Sequence, residues 1–275
     1  MVAAAAVSTT GDAQEQIERP VISAYTLQAG TSHIAETYLS PLRHCGVSLA
    51  LDYERMQAMK FDPEKWVMQL NGRLECSRTK NIPARNAYMW HLNFRLGWSM
   101  MHKFRPIETL NIYAGGSTTV DTGVFYLPRN SNNPAAAKAS WTVNAAGGAA
   151  WNTQLYRLPI CLRYMAELPL TGMFFSPEYG ELYYEIYLGN HRGLLHSAWP
   201  GNFFRLSNLL TADLRLGRTI VRLGYRCEIQ SSKASDIVTR QIGHWAVIGI
   251  ASEWLSLPAR GSRNFSDAKI ISALY

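Results

Sequence analysis

Between Tyr88 and Met100 the sequence places an apolar residue at every second position. Side chains of a β-strand alternate between its two faces, whereas an amphipathic helix needs apolar residues three and four positions apart. The segment therefore predicts a strand with one apolar face. Aromatic residues near both ends of that face are typical of a strand that contacts lipid. The residues on the apolar face are Tyr88, Trp90, Leu92, Phe94, Leu96, Trp98 and Met100.

The same alternation recurs along the chain. Ten segments show it, near residues 21–30, 46–56, 66–76, 88–100, 110–117 (with an extension to 126 left open), 141–151, 158–167, 204–216, 221–230 and 237–254. The tenth is less clean, because Trp245 and Val247 share the parity of Gln241 and Glu253. Connections after the even-numbered segments are short, and the other connections are long. Outer-membrane barrels show the same rhythm, because their periplasmic turns are short and their outward loops are long. We therefore predict an all-β fold: a single closed antiparallel transmembrane β-barrel of about 10 strands (8–12), with short periplasmic turns and long extracellular loops. Residues 182–188 also alternate, so a further hairpin and twelve strands stay open.

Composition agrees with a lipid-exposed barrel. Charged residues make up 17% of the chain, below the roughly 25% of average soluble domains. The sequence has no apolar run of about twenty residues, which excludes a transmembrane helix. The formal charge is +7, but the basic residues are scattered, so we expect no nucleic-acid partner. Arginines and carboxylates on the polar strand faces instead predict a salt-bridged lumen.

The chain divides into three parts at this level. Residues 1–20 are a leader, either disordered or the remnant of a signal peptide, since no signal peptide with a basic start is visible. Residues 21–255 form the barrel and residues 256–275 a C-terminal tail. Cys45 and Cys76 fall toward the same end of neighbouring strands, which leaves a disulfide open. No cysteine or histidine spacing suggests a metal site, and we expect no cofactor.

Three segments resemble a known family. They are residues 37–70, 132–144 and 174–214, in which LDYERMQAMKF and FFSPEYGELYYEIYLGN are distinctive. These segments resemble an uncharacterised outer-membrane barrel family of the Bacteroides group, a domain of unknown function. The resemblance spans about residues 24–254. It implies an exported barrel in a bacterial outer membrane and no established activity, and it assigns no site residue.

One segment concentrates residue types that catalysis uses. An outer-membrane lipid hydrolase needs a serine nucleophile, a histidine base and a group that orients the base. On an extended strand, Ser197 and His191 would point to the same face. Glu178 or Glu185 would supply the group that orients the histidine. The adjacent His196 would point to the opposite face, and no GxSxG motif is present. An outward loop packed by its own aromatic side chains is the simpler interpretation of this segment.

These observations favour a non-catalytic barrel with a plugged lumen, acting as a structural or surface-binding component. Its partners would be outer-membrane lipid and a glycan or protein ligand at the long surface loop, Leu168–Asn202. Three alternatives stay open: a small pore, a lipid hydrolase, and a soluble ligand-binding barrel. The soluble barrel makes the opposite prediction for the strand faces, because Leu92, Phe94 and Leu96 would then point to its centre.

Overall fold

The computed structural model describes residues 17–131, 133–177, 183–189, 193–217, 219–254 and 269–274. These ranges are almost entirely β-structure, and no helix in them is long and apolar enough to cross a membrane. The strands are β1 (Ile17–Glu18), β2 (Val21–Glu36), β3 (Arg43–Ala58), β4 (Trp66–Asn81), β5 (Tyr88–Ile107), β6 (Leu110–Tyr126), β7 (Ala135–Leu155), β8 (Leu158–Phe175), β9 (Leu195–Ala198), β10 (Phe203–Leu216), β11 (Thr219–Ala234), β12 (Ile237–Trp254) and β13 (Lys269–Ile270), and the helix is α1 (Tyr183–Tyr187).

Ten of these strands form a closed antiparallel barrel. Each strand from β2 to β8 pairs with the next, and β10, β11 and β12 do the same. Pairing of β12 with β2 and of β8 with β10 closes the ring, so the barrel wall has no free edge. The short strand β9 pairs with the last residues of β8, beyond the point where β10 pairs with it. The prediction of a closed barrel of about ten strands is confirmed.

The further hairpin does not form. Within the alternating segment 182–188, Tyr183–Tyr187 is the helix α1 rather than a strand. The barrel therefore has ten strands and not twelve.

Several strands run further than their sequence pattern predicted. The first extends to Glu36 rather than ending near Gly30, because its polar residues face the lumen and find partners there. Gln241 donates to Ser32, and Thr239 donates to Glu36. β11 also runs further, to Ala234, so the connection after it is a two-residue turn at residues 235–236, with Ser235 at φ 49°. The prediction of a long connection after the ninth segment is therefore wrong.

The two ends of the barrel differ in their connections. At one end β5–β6, β7–β8 and β10–β11 are joined by two-residue turns; we call it the short-turn end. At the other, the loop end, β8 and β10 are separated by residues 176–202, which include α1 and β9. The contrast has two exceptions, since β11–β12 at the loop end is a two-residue turn and β3–β4 at the short-turn end spans residues 59–65.

The strand faces have the predicted orientation. On β5 the apolar side chains Trp90, Phe94 and Trp98 are more than 40% exposed on the outside, whereas Arg95 and Ser99 are buried inside. Similar apolar side chains surround the barrel, and an exposed apolar surface of this extent is what a membrane covers. The soluble alternative required the reverse orientation. The outward apolar side chains include Leu27, Val47, Leu49, Leu51, Leu74, Val120, Leu210, Leu223, Ile248 and Ile250.

The four cysteines are free. Cys45 lies opposite Lys80 in the ladder, whereas Cys76 lies opposite Leu49, so the two thiols are not cross-strand neighbours. Cys161 is the one that lies buried, on the inner face of β8.

Candidate functional site

The centre of the lumen is filled by charged side chains that pair with one another. Period-two alternation points them inward from several strands. Six arginines face six carboxylates, so their formal charges cancel, as buried charges require. The members of this lumen network are Arg73, Arg95, Arg163, Arg205, Arg222, Arg226, Asp52, Glu54, Glu75, Asp121, Asp213 and Glu228.

Glu54 connects opposite walls of the barrel. Its two carboxylate oxygens accept hydrogen bonds of 2.5 Å from the two terminal nitrogens of Arg163. It also accepts one from Arg222, which binds Asp213 through two further bonds of 2.7 Å. Glu54 comes from β3, whereas Arg163 comes from β8 and Arg222 from β11. These contacts therefore cross the lumen rather than follow its wall.

A second group closes the lumen nearer the loop end. Arg95 on β5 makes a bidentate pair with Glu228 on β11, at 2.6 and 2.7 Å. Its Nε donates to Asp121 at 2.8 Å, and Arg205 donates to the other oxygen of Asp121. Bidentate arginine–carboxylate pairs fix both position and orientation. This group is therefore a rigid bridge between strands far apart in sequence.

The third group surrounds Trp245. The Arg73 guanidinium lies 4.6 Å from the centre of the Trp245 ring, and Trp245 Nε1 donates to Ser48 at 2.9 Å. Asp52 pairs with Arg73 at 3.3 Å and with Arg226 at 2.6 Å. Trp245 is thus an inward aromatic residue in a polar lumen, held by a cation and a hydroxyl. Trp245 and Val247 share the inward face of β12 with Gln241, so polar and apolar residues do not alternate cleanly along this strand.

Little open space is left between these groups. A cavity of about 40 Å³ near His91 and Lys138, and one of about 60 Å³ near Asp52 and Arg226, lie in the described part of the lumen. A buried water needs roughly 10–15 Å³ of such volume, so each cavity holds a few waters. Sites for small organic ligands span about 300–1,000 Å³, and neither cavity reaches that size.

The short-turn end of the lumen is closed by the segment Lys269–Leu274, which we call the tail segment. Ala273 and Leu274 are fully buried inside the barrel. Asn111 and Asn152 donate to the carbonyl oxygen of Leu274 at 2.9 and 3.0 Å, and the Tyr113 hydroxyl donates to that of Ala273 at 2.8 Å. The prediction of a tail beyond the last barrel strand did not anticipate that part of it fills the barrel.

Apolar side chains on the inner face receive the tail segment. They form a collar at the short-turn end, in a lumen that is otherwise polar. The sequence contained a signal for this collar, because these residues occupy inward-facing positions and recur near the same end of successive strands. The collar consists of Ile22, Met56, Val67, Met101, Tyr113, Ala146, Ala150, Cys161 and Met165.

The tail segment is also attached outside the lumen. Its β13 residues pair in parallel with Ile17–Glu18, and Ile271 N–H donates to the Glu18 carbonyl at 2.9 Å. Lys269 Nζ lies 2.6 Å from Glu64, in the connection between β3 and β4. The hydrogen bond from Lys269 lowers the pKa of Glu64 and favours its ionised form. Backbone pairing and an ion pair therefore hold the tail segment at the barrel mouth.

At the loop end the helix α1 is anchored by its first residue. The Tyr183 hydroxyl oxygen accepts a 2.6 Å hydrogen bond from the Ala137 N–H, and burial raises the pKa of Tyr183 to about 12. The next two tyrosines of the helix, Tyr184 and Tyr187, are 65% and 83% exposed. Their rings stack with centroids 6.5 Å apart. The helix thus presents an aromatic surface to the outside.

The residues proposed for lipid hydrolysis are only partly described. His191 and Glu178 lie outside the described residues, so their relation to Ser197 stays a prediction. Ser197 is exposed on β9, and Glu185 is exposed on α1. The neighbouring His196 is directed to the other face, as predicted, where its Nε2 lies 3.1 Å from the Ser176 carbonyl oxygen.

No group of three histidine, cysteine or carboxylate side chains in the described ranges could hold a metal ion. The acidic side chains of the lumen network are occupied by arginines instead, and Glu36 pairs with Lys138. Absence of a cofactor stays a prediction.

A family model described as "Protein of unknown function (DUF3316)" matches residues 1–261. This confirms the resemblance to a family of unknown function, whereas its link to the Bacteroides group stays a prediction. No curated protein matches the sequence.

Several solved bacterial barrels are similar at low identity. The outer membrane protease OmpT from Escherichia coli is 6% identical to this chain, with a TM-score of 0.49. The alignment covers 86% of this chain and 97% of the OmpT chain. The translocator domain of the autotransporter NalP from Neisseria meningitidis is 10% identical over 88% and 90% of the chains, with a TM-score of 0.37. Neisserial surface protein A is 9% identical over 84% and 97%, with a TM-score of 0.34. The fold assignment depends on the strand pairing and the apolar belt, not on these likenesses.

Proposed function

The chain belongs to the DUF3316 family of proteins of unknown function, and we propose from its geometry that it is a non-conducting, non-catalytic barrel of a bacterial outer membrane. The observation that carries this proposal is the doubly closed lumen. The lumen network fills the middle, and the tail segment fills the short-turn end. A barrel built in this way does not serve as an aqueous path for solutes.

The orientation follows from the connections. In outer-membrane barrels the periplasmic turns are short and the outward loops longer. The short-turn end, with the tail segment, then faces the periplasm, and the loop end faces the outside. The apolar belt between the two ends contacts lipid.

The working surface is then the loop end. It carries residues 176–202, in which the exposed rings of Tyr184 and Tyr187 lie side by side. Aromatic rings with a polar hydroxyl supply contact area at low entropic cost, which suits a glycan or protein ligand. Tyr183 fixes the helix to β7, so the surface is positioned before any ligand arrives.

Conductance in planar lipid bilayers tests the proposal. The purified full chain should insert without producing current steps, while a porin in the same bilayer gives them. Reproducible current steps from the full chain would overturn the closed lumen and favour the pore.

The hydrolase alternative makes its own prediction. The folded barrel would release fatty acid from phospholipid or lipopolysaccharide, and Ser197→Ala would abolish release without changing the fold. We expect no release by either protein. Release that depends on Ser197 would replace the non-catalytic proposal with lipid hydrolysis.

A further inference from the structure

The outer surface of the barrel carries a basic groove at the loop ends of β3, β4 and β5. Its volume is about 450 Å³. Three cations, Arg78, Lys80 and Arg85, stand above apolar side chains. The lining of the groove also includes Val47, Leu49, Tyr88 and Trp90.

Two aromatic rings hold the cations in place. The Arg78 guanidinium lies 4.3 Å from the centre of the Tyr88 ring and 5.3 Å from that of Trp90. Lys80 Nζ lies 4.9 Å from the Tyr88 ring. Cation–π contacts of this kind position a charge without neutralising it. The groove is therefore preorganised for an anion.

No carboxylate competes for these positions. Among the described residues, the ion pairs involve neither Arg78, Lys80 nor Arg85. The lumen arginines, in contrast, are all paired with carboxylates. The outer cations thus keep their charge available to a partner.

The groove lies where the lipid belt ends. Arg78 is level with Val47 and Trp90 across the sheet, and the next outward row toward the short-turn end is Leu49, Cys76 and Leu92. A molecule bound here would place its anionic group on the cations and its apolar part on the belt. That combination is the chemistry of a phosphorylated lipid rather than of a soluble anion.

The neighbouring part of the wall, on β6 and β7, lacks this arrangement. The outward residues at the loop ends of β6 and β7 are apolar or neutral, and none is a cation. They are Val120, Thr122, Val124, Tyr126, Ala137, Ala139 and Trp141. The cations of the groove therefore end at β5. In the other direction, exposed cations continue at the loop end with Arg43 on β3, Arg240 on β12 and Lys233 on β11.

We propose that this groove binds a phosphate group of a glycolipid in the outward leaflet, namely the lipid A part of lipopolysaccharide. Arg78 binds the phosphate through its guanidinium group, which matches phosphate oxygens in bidentate geometry, and the Lys80 ammonium adds a second positive charge. Tyr88 and Trp90 flank the sugar, and an acyl chain lies along Val47 and Leu49. The inference rests on the membrane location and orientation proposed above, but not on the closed lumen.

Lipid binding by the purified full chain in detergent tests this inference. Native mass spectrometry would count the lipid A molecules retained during titration. The variant Arg78→Gln/Lys80→Gln should bind lipid A at least about tenfold more weakly, equivalent to about 1.4 kcal/mol. The matched control Arg129→Gln/Arg157→Gln removes the same charge from exposed connections and should bind as the unmodified chain does.

Two further probes separate the possible sources of binding. Lipid A without phosphate should bind as weakly as the groove variant does, and inorganic phosphate should not displace lipid A. The inference would be overturned by equal weakening in both charge variants, by full binding of the phosphate-free lipid, or by displacement with inorganic phosphate. Bilayer conductance would contradict the closed lumen alone, so the two failures are distinguishable.

Discussion

The middle and the short-turn end of the lumen are closed in different ways. In the middle, side chains of the wall itself meet across the barrel, as when Arg163 and Arg222 reach Glu54. At the short-turn end, the wall presents an apolar collar, and a separate piece of chain, Ala273 and Leu274, fills it. One closure belongs to the barrel, whereas the other is an added element.

This difference has an energetic side. Taking charges out of water is costly, so a complete buried network adds little net stability. Removing one member nevertheless destabilises the fold, because its partner is left as an unpaired buried charge. Apolar packing instead contributes in proportion to the area removed from water. The middle should therefore be sensitive to any single charge deletion, and the short-turn end should respond gradually to lost contact area.

Removal of Glu54 should have the largest effect. Glu54→Ala leaves Arg163 without a carboxylate, and we expect it to lower the free energy of unfolding by about 3–5 kcal/mol. Denaturant titration of the barrel folded into lipid vesicles measures this. Glu108→Ala, at an exposed turn, is the control and should change stability by less than about 0.5 kcal/mol.

A loss for Glu54→Ala no larger than that of the control would contradict the network. It would mean that water already reaches Arg163, and that the middle of the lumen is open.

Shortening the buried leucine of the tail segment should have a smaller effect. Leu274→Ala removes apolar contacts with the collar, and we expect a loss of about 2 kcal/mol in the same titration. Ile270→Ala, in the same segment but 59% exposed, should cost much less. Equal effects of the two substitutions would show that the segment does not pack inside the barrel.

The smallest effect concerns one hydrogen bond. Tyr113→Phe removes the donor to the Ala273 carbonyl and should cost about 1 kcal/mol. In a chain ending at residue 268 the same substitution should have almost no effect, because its acceptor is gone. A double-mutant cycle measures this coupling. An equal cost in both chains would place the role of the Tyr113 hydroxyl elsewhere.

The sequence predicted the barrel well because apolar residues on the outer face and polar residues on the inner face alternate with a period of two along each strand. Alternation around Leu92 and Arg95 identified the outer and inner faces before any pairing was known. Strand ends were less accurate. Ser32 and Glu36 resemble loop residues by composition, yet in a polar lumen such residues continue a strand.

The particular partners in the lumen could not be predicted. Arg95 and Glu228 are 133 residues apart, and their meeting depends on how the ring closes and on the register of each strand. The tail segment was missed for a related reason. Ala273 and Leu274 carry no pattern of their own, and only the three-dimensional collar formed by residues such as Met56 and Met101 gives them a place.

Chemical access to Cys161 tests the closed lumen most directly. This thiol lies on the inner face of β8, in the collar that packs against Leu274. Cys45→Ser/Cys76→Ser/Cys227→Ser would leave it as the only reactive thiol. Mass spectrometry would then follow its modification by a charged, membrane-impermeant thiol reagent added to either side of lipid vesicles.

The account predicts that Cys161 resists the reagent from both sides in the chain that retains the tail segment. In the chain ending at residue 268 it should react rapidly from the short-turn side, and slowly from the loop side, where the lumen network still blocks the path. Rapid modification of the full chain from either side would contradict the closed lumen.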